Sequence, residues 1–412
     1  MAIRNRKASR KQSCASRYPC AVLMCDSHHG PAGPWSAASP RIVPRSYPAA
    51  ILEWMASSQK KVLVTGSGGL IGSDCVRTLA KEGWSVVGVD NDMRQQFFGA
   101  SGTTRPVVKS LIDTVPGYRH VDLDIRDRQS VRDLFDQERP GFIIHTAAQP
   151  SHDKAASIPY DDFDVNALGT MNVLVAARDF CKDSPFCFTS TNKVYGDRPN
   201  YLPLKELDKR WEYADGLDGI DENMSIDQCL HSLFGASKVA ADVMCQEFGR
   251  YFQMPIGIFR GGCLTGPQHS AVELHGYLVY IVICAMTGKE YQIYGYKGKQ
   301  VRDQIHSHDV ASLFLEFYKA PRCGEVYNMG GGRKNSVSIL ETIDILAGMG
   351  YQLKYTYKDT NRTGDHICYI SDLTKIHQHY PNWKQQYDLP RIIQEIVDAR
   401  KQASPAASVK GH

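Results

Sequence analysis

The sequence predicts an α/β fold, a doubly wound parallel sheet with a smaller C-terminal lobe. The apolar run Lys61-Val-Leu-Val64 leads straight into the glycine-rich turn Thr65-Gly-Ser-Gly-Gly-Leu-Ile-Gly72. Short apolar segments then recur at Ser85–Asp90, before Asp124 and at Gly141–Gln149, with helical stretches between them. Strands that alternate with helices build a parallel sheet covered on both faces. The organisation expected is an extension over 1–58, the sheet domain over 59–262, a second lobe over 263–402 with some return to the sheet, and a tail over 403–412.

The first strand and its glycines come first in the argument. A strand, a glycine turn and a helix place a pyrophosphate on helix N-terminal amides, because no Cβ blocks the approach. The spacing Gly66-x-x-Gly69-x-x-Gly72, with Leu70 and Ile71 inside it, departs from Gly-x-Gly-x-x-Gly. Alone it also fits a tight turn with no ligand. The second strand ends in Asp90-Asn91, with Asp90 18 residues beyond Gly72. A carboxylate there accepts from both ribose hydroxyls of NAD and repels the 2′-phosphate of NADP. Arg94 lies near enough to keep NADP open. The fourth strand ends in Thr146-Ala147-Ala148-Gln149, where small residues let the cofactor lie against the strand ends. Three signals in the right order point to NAD.

Composition narrows the rest. With 412 residues, 42% hydrophobic and 22% charged, the chain has the make-up of a globular domain. The net charge is +4, but residues 1–55 hold eight Lys or Arg against Asp26 and Glu53, which leaves the remainder about −2. No nucleic-acid footprint is expected. The apolar run Tyr277–Met286 is too short to span a bilayer, so no membrane partner is expected. Twelve Cys without a Cys-x-x-Cys pair argue against structural zinc and fit a reducing, cytoplasmic setting. The Arg-rich, acid-poor first segment reads as disordered; it is either an organellar targeting peptide or an upstream extension before a start at Met55.

Chemistry concentrates in the next part of the chain. The stretch Phe186-Cys-Phe-Thr-Ser-Thr-Asn-Lys-Val-Tyr-Gly-Asp197 is a strand with a hydroxyl-rich end, and Thr191 is placed to bond a sugar hydroxyl that loses its proton. Further on, Phe234 and Lys238 are four residues apart and share one helix face.

These residues resemble the extended short-chain dehydrogenases, and among them the CDP-tyvelose (CDP-paratose) 2-epimerases. The carrying motifs are Ser190-Thr-Asn-Lys-Val-Tyr-Gly-Asp197, Gly295-Tyr-Lys-Gly-Lys-Gln-Val-Arg-Asp303, Ile305-His-Ser-His-Asp309 and Glu325-Val-Tyr-Asn-Met-Gly-Gly-Gly-Arg333, within a likeness from about Lys60 to Arg400. The resemblance implies the Rossmann fold, bound NAD, and a nucleotide-diphosphate hexose whose C2 is oxidised and reduced again on the other face. It implies an adenine frame at Asp124-Ile125, a catalytic Thr191 and a Lys238 that holds the nicotinamide ribose. It places Arg302-Asp303 and Arg362-Thr-Gly-Asp365 at the substrate diphosphate or nucleoside, where a guanidinium fork meets phosphate oxygens. Asn192 stands where 4,6-dehydratases carry an acid, and His275 in Glu273-Leu-His-Gly276 is expected to line the same cleft. A homodimer or higher homo-oligomer follows by analogy.

One position departs. The family's base is a Tyr four residues before the Lys, and here it is Phe234. Either another group moves the proton or the protein is a cofactor-binding regulator without turnover. His152, just after the fourth strand, titrates near neutrality and is the candidate substitute; Tyr195, Cys263 and His231 are weaker ones. 4-Epimerisation, dehydration and decarboxylation on the same fold remain alternatives.

Overall fold

A computed structural model describes residues 60–268, 276–362 and 364–403. The expectations for the 1–58 extension, for Met55, for His275 and for all but the first residue of the 403–412 tail lie outside the described residues.

The sheet is built as the alternation requires. Its strands are β1 (Lys61–Thr65), β2 (Ser85–Val89), β3 (Tyr118–Val121), β4 (Phe142–His145), β5 (Phe186–Thr191), β6 (Ile256–Gly261) and β7 (Glu325–Met329). They lie in the order β7-β6-β5-β4-β1-β2-β3, all seven parallel. The strand order reverses between β1 and β4, the switch point where such sheets open a crevice beyond their carboxyl ends. Strand β7, from the C-terminal part of the chain, closes one edge of the sheet beside β6.

Both faces of the sheet are covered, which is why its strands read as apolar runs rather than alternating ones. Val62 and Val64 face one core, with Phe314 and Phe317 of the helix Ser307–Lys319. Leu63 faces the other, with Val173, Leu174 and Cys245. Each such aliphatic side chain fully removed from water contributes about 1.5–3 kcal/mol. A third core lies in the C-terminal part of the chain, where Leu278, Val282 and Ile293 cluster with Ile392 and Ile396. The apolar run near 277 is therefore the helix Tyr277–Thr287, buried in that core. Among the described residues, no helix is long and apolar enough to cross a membrane.

After β4, Asp164–Gly169 is wound as a π-helix that runs into the α-helix Thr170–Phe180. A Cβ on Gly169 would come within 2.6 Å of Ile125 Cδ1, so the glycine lets this segment sit against Ile125 without displacing that side chain.

Candidate active site

A deep cleft runs across the carboxyl ends of β1, β2, β4, β5 and β6 and on among residues of the C-terminal part of the chain. Its first half begins at the turn after β1. Gly66 has φ +69°, and a Cβ there would lie 2.8 Å from Ala147 N; a Cβ on Gly72 would collide with the Gly66 carbonyl oxygen. The helix α1 (Leu70–Lys81) thus starts hard against the strand, capped by Gly69 with no side-chain cap and no acid in its first turn. First-turn amides have no intrahelical acceptor. With Leu70 and Ile71 lining the cleft, these amides are open to an anion, while Gly69 N donates to Gly66 O. Gly72 supports the turn from beneath rather than lining the cleft.

Asp90 closes this half. Its Oδ2 accepts from Gly68 N at 2.9 Å and its Oδ1 from Asp92 N and Thr104 Oγ1, so its side chain is fixed at the strand end. Asn91, Asp124, Ile125, Ala147 and Ala148 line the same wall. Gln149 does not. Its amide nitrogen donates to Asp162 Oδ1 (2.7 Å) and Ser151 O (2.9 Å), and its backbone N–H to Asn166 Oδ1. Asn166 Nδ2 and Asp162 Oδ2 in turn both engage Ser237 Oγ, beside Lys238. Gln149 therefore holds the loop after β4 against the helix that carries Lys238 and does not line the cleft.

The middle of the cleft brings together the residues expected to handle protons. Thr191 ends β5, and its Oγ1 accepts from Lys193 N at 3.2 Å, which leaves the hydroxyl proton free to donate. Lys238, on α2 (Ser232–Tyr251), is buried; its Nζ donates to Thr189 O at 2.9 Å and stands 4.3 Å over the Phe188 ring. Burial brings its pKa down to about 8. Phe234 lines the cleft one turn before it. His152 borders the cleft with Nδ1 3.6 Å from Asp153 Oδ1. Burial, and then the Lys193 charge, lower its pKa against the pull of Asp153.

The weaker substitutes fall away. Tyr195 is fully buried outside the cleft, donating to Asn328 Oδ1, and burial pushes its pKa up. His231 is spent on Val194 O at 2.9 Å. Cys263 does line the cleft, but burial pushes its thiol up to about 11, so it stays protonated.

Beyond Thr191 lies an ionic cluster that the sequence did not disclose as a unit. Asp365 Oδ1 accepts from Arg302 Nη2 at 2.5 Å and stands 3.5 Å from Lys193 Nζ, which also donates to Gly364 O. Burial alone would raise Asp365, but the Arg302, Lys193 and Arg362 charges overcome it and hold the carboxyl below its usual range. Arg362 pairs with Asp153, beside His152. Arg302, Arg362, Lys193 and Asn192 all line the cleft. Asp303 does not belong with them: successive strand residues face opposite sides, and it is fully buried, accepting from Gly332 N and Ser371 N. Gly330–Gly332 is the turn that packs on it.

The residues fit a dinucleotide. The glycine cradle and open amides suit a pyrophosphate, Asp90 a ribose, and Ala147 and Ala148 a ring lying on the strand ends. Thr189 Oγ1 and Thr265 Oγ1, buried in the cleft wall, have no protein partner. Among the described residues no cluster could hold a metal.

Fold and cleft together define a dinucleotide-binding protein of the doubly wound α/β class. The chain belongs to the NAD dependent epimerase/dehydratase family, whose profile matches residues 62–330, and its cofactor is NAD. CDP-paratose 2-epimerase of Salmonella typhi is 28% identical over 346 residues, covering 82% of this chain and 98% of that protein. dTDP-glucose 4,6-dehydratase 1 of Escherichia coli is also 28% identical, over 356 residues, 82% of this chain and 92% of that one. The UDP-glucose 4-epimerase of Thermus thermophilus, solved with NAD, has a TM-score of 0.68 at 24% identity, covering 84% of this chain and 100% of its own. A Tyr-to-Phe mutant of UDP-glucuronic acid 4-epimerase from Bacillus cereus, with NAD and a substrate analogue, has a TM-score of 0.69 at 22% identity over 84% and 100%. These last two likenesses establish the fold.

Proposed function

We propose that the chain is a nucleotide-sugar epimerase that inverts C2 of a hexose carried on a nucleoside diphosphate. The observation that carries this reading is one cleft in which Thr191 and Lys238 adjoin the cationic groups Arg302, Arg362 and Lys193. NAD, when bound, would supply the oxidation of the sugar carbon and its later reduction. Thr191 would donate a hydrogen bond to the sugar oxygen, and Lys238 would hold the nicotinamide ribose. Arg302 and Arg362 would bind the diphosphate. His152, kept neutral by burial and by the Lys193 charge, would take the sugar hydroxyl proton and return it.

Asn192 favours epimerisation over dehydration, since expelling a hydroxyl needs a proton donor and a carboxamide is none. The Salmonella relative supports C2. The substrate would be the nucleotide-diphosphate sugar, met in the cytoplasm by a homodimer, with no nucleic-acid or membrane partner; light scattering on the purified chain checks the dimer. Phe234 favours one second reading, a protein that binds NAD without turnover.

Proton NMR of the full chain with CDP-, UDP-, dTDP- and GDP-hexoses, without added NAD, separates the two. Inversion at C2 in one of them is expected. NAD present on the protein with no sugar converted would establish the second reading. His152→Gln should lower kcat about 100-fold at unchanged NAD content; unchanged turnover would end the role given to His152.

A further inference from the structure

The strand Val301–His306, which opens the C-terminal side of the cleft, turns alternate residues toward it: Gln300 just before the strand, then Arg302 and Gln304. Val301 and Ile305 face the opposite way, fully buried. Alternate strand residues stand roughly 6.6 Å apart, so the three side chains mark off a length of about 13 Å.

The two ends of this row are distinct. Gln304 pairs with Cys263 across the strands, and Cys263 follows Gly261, the register partner of Thr191. That end lies at the reacting sugar. Gln300 lies at the far end, where Tyr291, Gln292 and Tyr294 line the cleft. Between them Arg302 sits at the proposed diphosphate position. Sugar, diphosphate and base follow one another in the same order along a nucleotide sugar.

Gln300 is held in one orientation. Its Nε2 donates to the backbone oxygen of Tyr294 at 3.1 Å, and a carbonyl oxygen can only accept. Its Oε1 therefore points the other way, buried and without a partner, in a residue only 7% exposed. A buried carbonyl with nothing to accept from is expensive unless a ligand satisfies it. Gln292, in the same lining, has its Oε1 engaged by the Tyr294 hydroxyl at 2.6 Å, which leaves its NH₂ as the side chain's donor. The far end of the cleft thus offers one acceptor and one donor.

We propose that Gln300 is the residue that reads the nucleobase, its Oε1 accepting an N–H from a pyrimidine edge that carries a donor beside an acceptor. This rests on the nucleotide-sugar reading above and adds to it the base class and the residue that selects it. A purine ring would have to present the same edge from a longer body, past Tyr291 and Tyr294.

The test is calorimetry on the NAD-containing protein with CDP, UDP, ADP and inorganic pyrophosphate, for wild type and Gln300→Leu. Wild type should bind a pyrimidine diphosphate more tightly than ADP. Gln300→Leu should weaken that pyrimidine diphosphate roughly ten- to a hundredfold and leave pyrophosphate within about twofold, which also shows the variant folded. Methylating the reading N–H of the base should cost wild type a similar factor and the variant little. Equal loss of nucleotide and pyrophosphate, or no loss of either, would overturn the role of Gln300. Wild-type protein that binds pyrophosphate but no nucleoside diphosphate would overturn the nucleotide-sugar reading and this role with it.

Discussion

The two halves of the cleft are made of different materials. The cofactor half is backbone: glycines, open helix amides, small residues and one fixed carboxylate. The half proposed for the substrate is charge: Lys193, Arg302 and Arg362 set against Asp153 and Asp365 within a partly buried space. A backbone cradle is rigid and binds the same ligand throughout a reaction cycle. An ionic cluster whose carboxylates already neutralise its guanidinium groups can exchange partners as a diphosphate arrives and leaves. The contrast suits a resident cofactor and an exchanging substrate.

The largest expected effect falls on the backbone half. Gly72→Ala puts a methyl group into the Gly66 carbonyl; overpacking at so rigid a contact costs about 3 kcal/mol. The purified variant should lack NAD and melt earlier, whereas normal NAD content would break the picture of a rigid cradle. Next comes Asp365→Asn in the charged half. It leaves Arg302 and Lys193 without their shared carboxylate, and should cost about 2–4 kcal/mol in chemical denaturation at pH 7. Because the folded-state pKa of Asp365 is depressed, its contribution exists above the ordinary carboxylate value and is lost on acidification. The gap between wild type and Asp365→Asn should therefore close as pH falls below about 4. A gap independent of pH would mean that packing, not charge, is what Asp365 provides.

A smaller effect is expected at Asp90. Asp90→Asn keeps the bonds to Gly68 and Thr104 in outline but removes the charge, and should weaken NAD by about tenfold while easing discrimination against NADP. Unchanged selectivity, measured by cofactor titration of stripped protein, would shift that role to another residue. Smallest of all, Phe234→Tyr adds one hydroxyl at a site 8% exposed and should change stability by less than about 1 kcal/mol. Its effect on the pH profile sharpens the comparison at the boundary of the halves. If His152 moves the proton, the acid limb should stay where it is; a limb that moves to the phenol would displace His152.

The two halves also differ in how far the sequence discloses them. Residues 61–72, Asp90, Asp124, Ile125, Ala147 and Ala148 come in chain order because each strand–helix unit contributes its own carboxyl end, and the signal is local. Gln149 misleads because a residue next to the cleft in sequence can turn its side chain into a supporting network. The substrate half is assembled from residues near 152, 193, 302 and 365, and nothing local ties them together. Motif resemblance reached Arg302 and Arg362 but passed over Lys193, and it carried Asp303 along with Arg302 although strand alternation sends the two to opposite faces. The π-helical turn at Asp164–Gly169 leaves no trace in apolar spacing.

The most direct measurement of the central claim uses a nucleotide hexose deuterated at C2 with the full chain and no added cofactor. The expected product has unchanged mass, inverted configuration at C2 and the deuterium still at C2, because one bound NAD serves both the oxidation and the reduction. A product lighter by one water, an inversion at C4, or deuterium replaced by solvent hydrogen at C2 would contradict it.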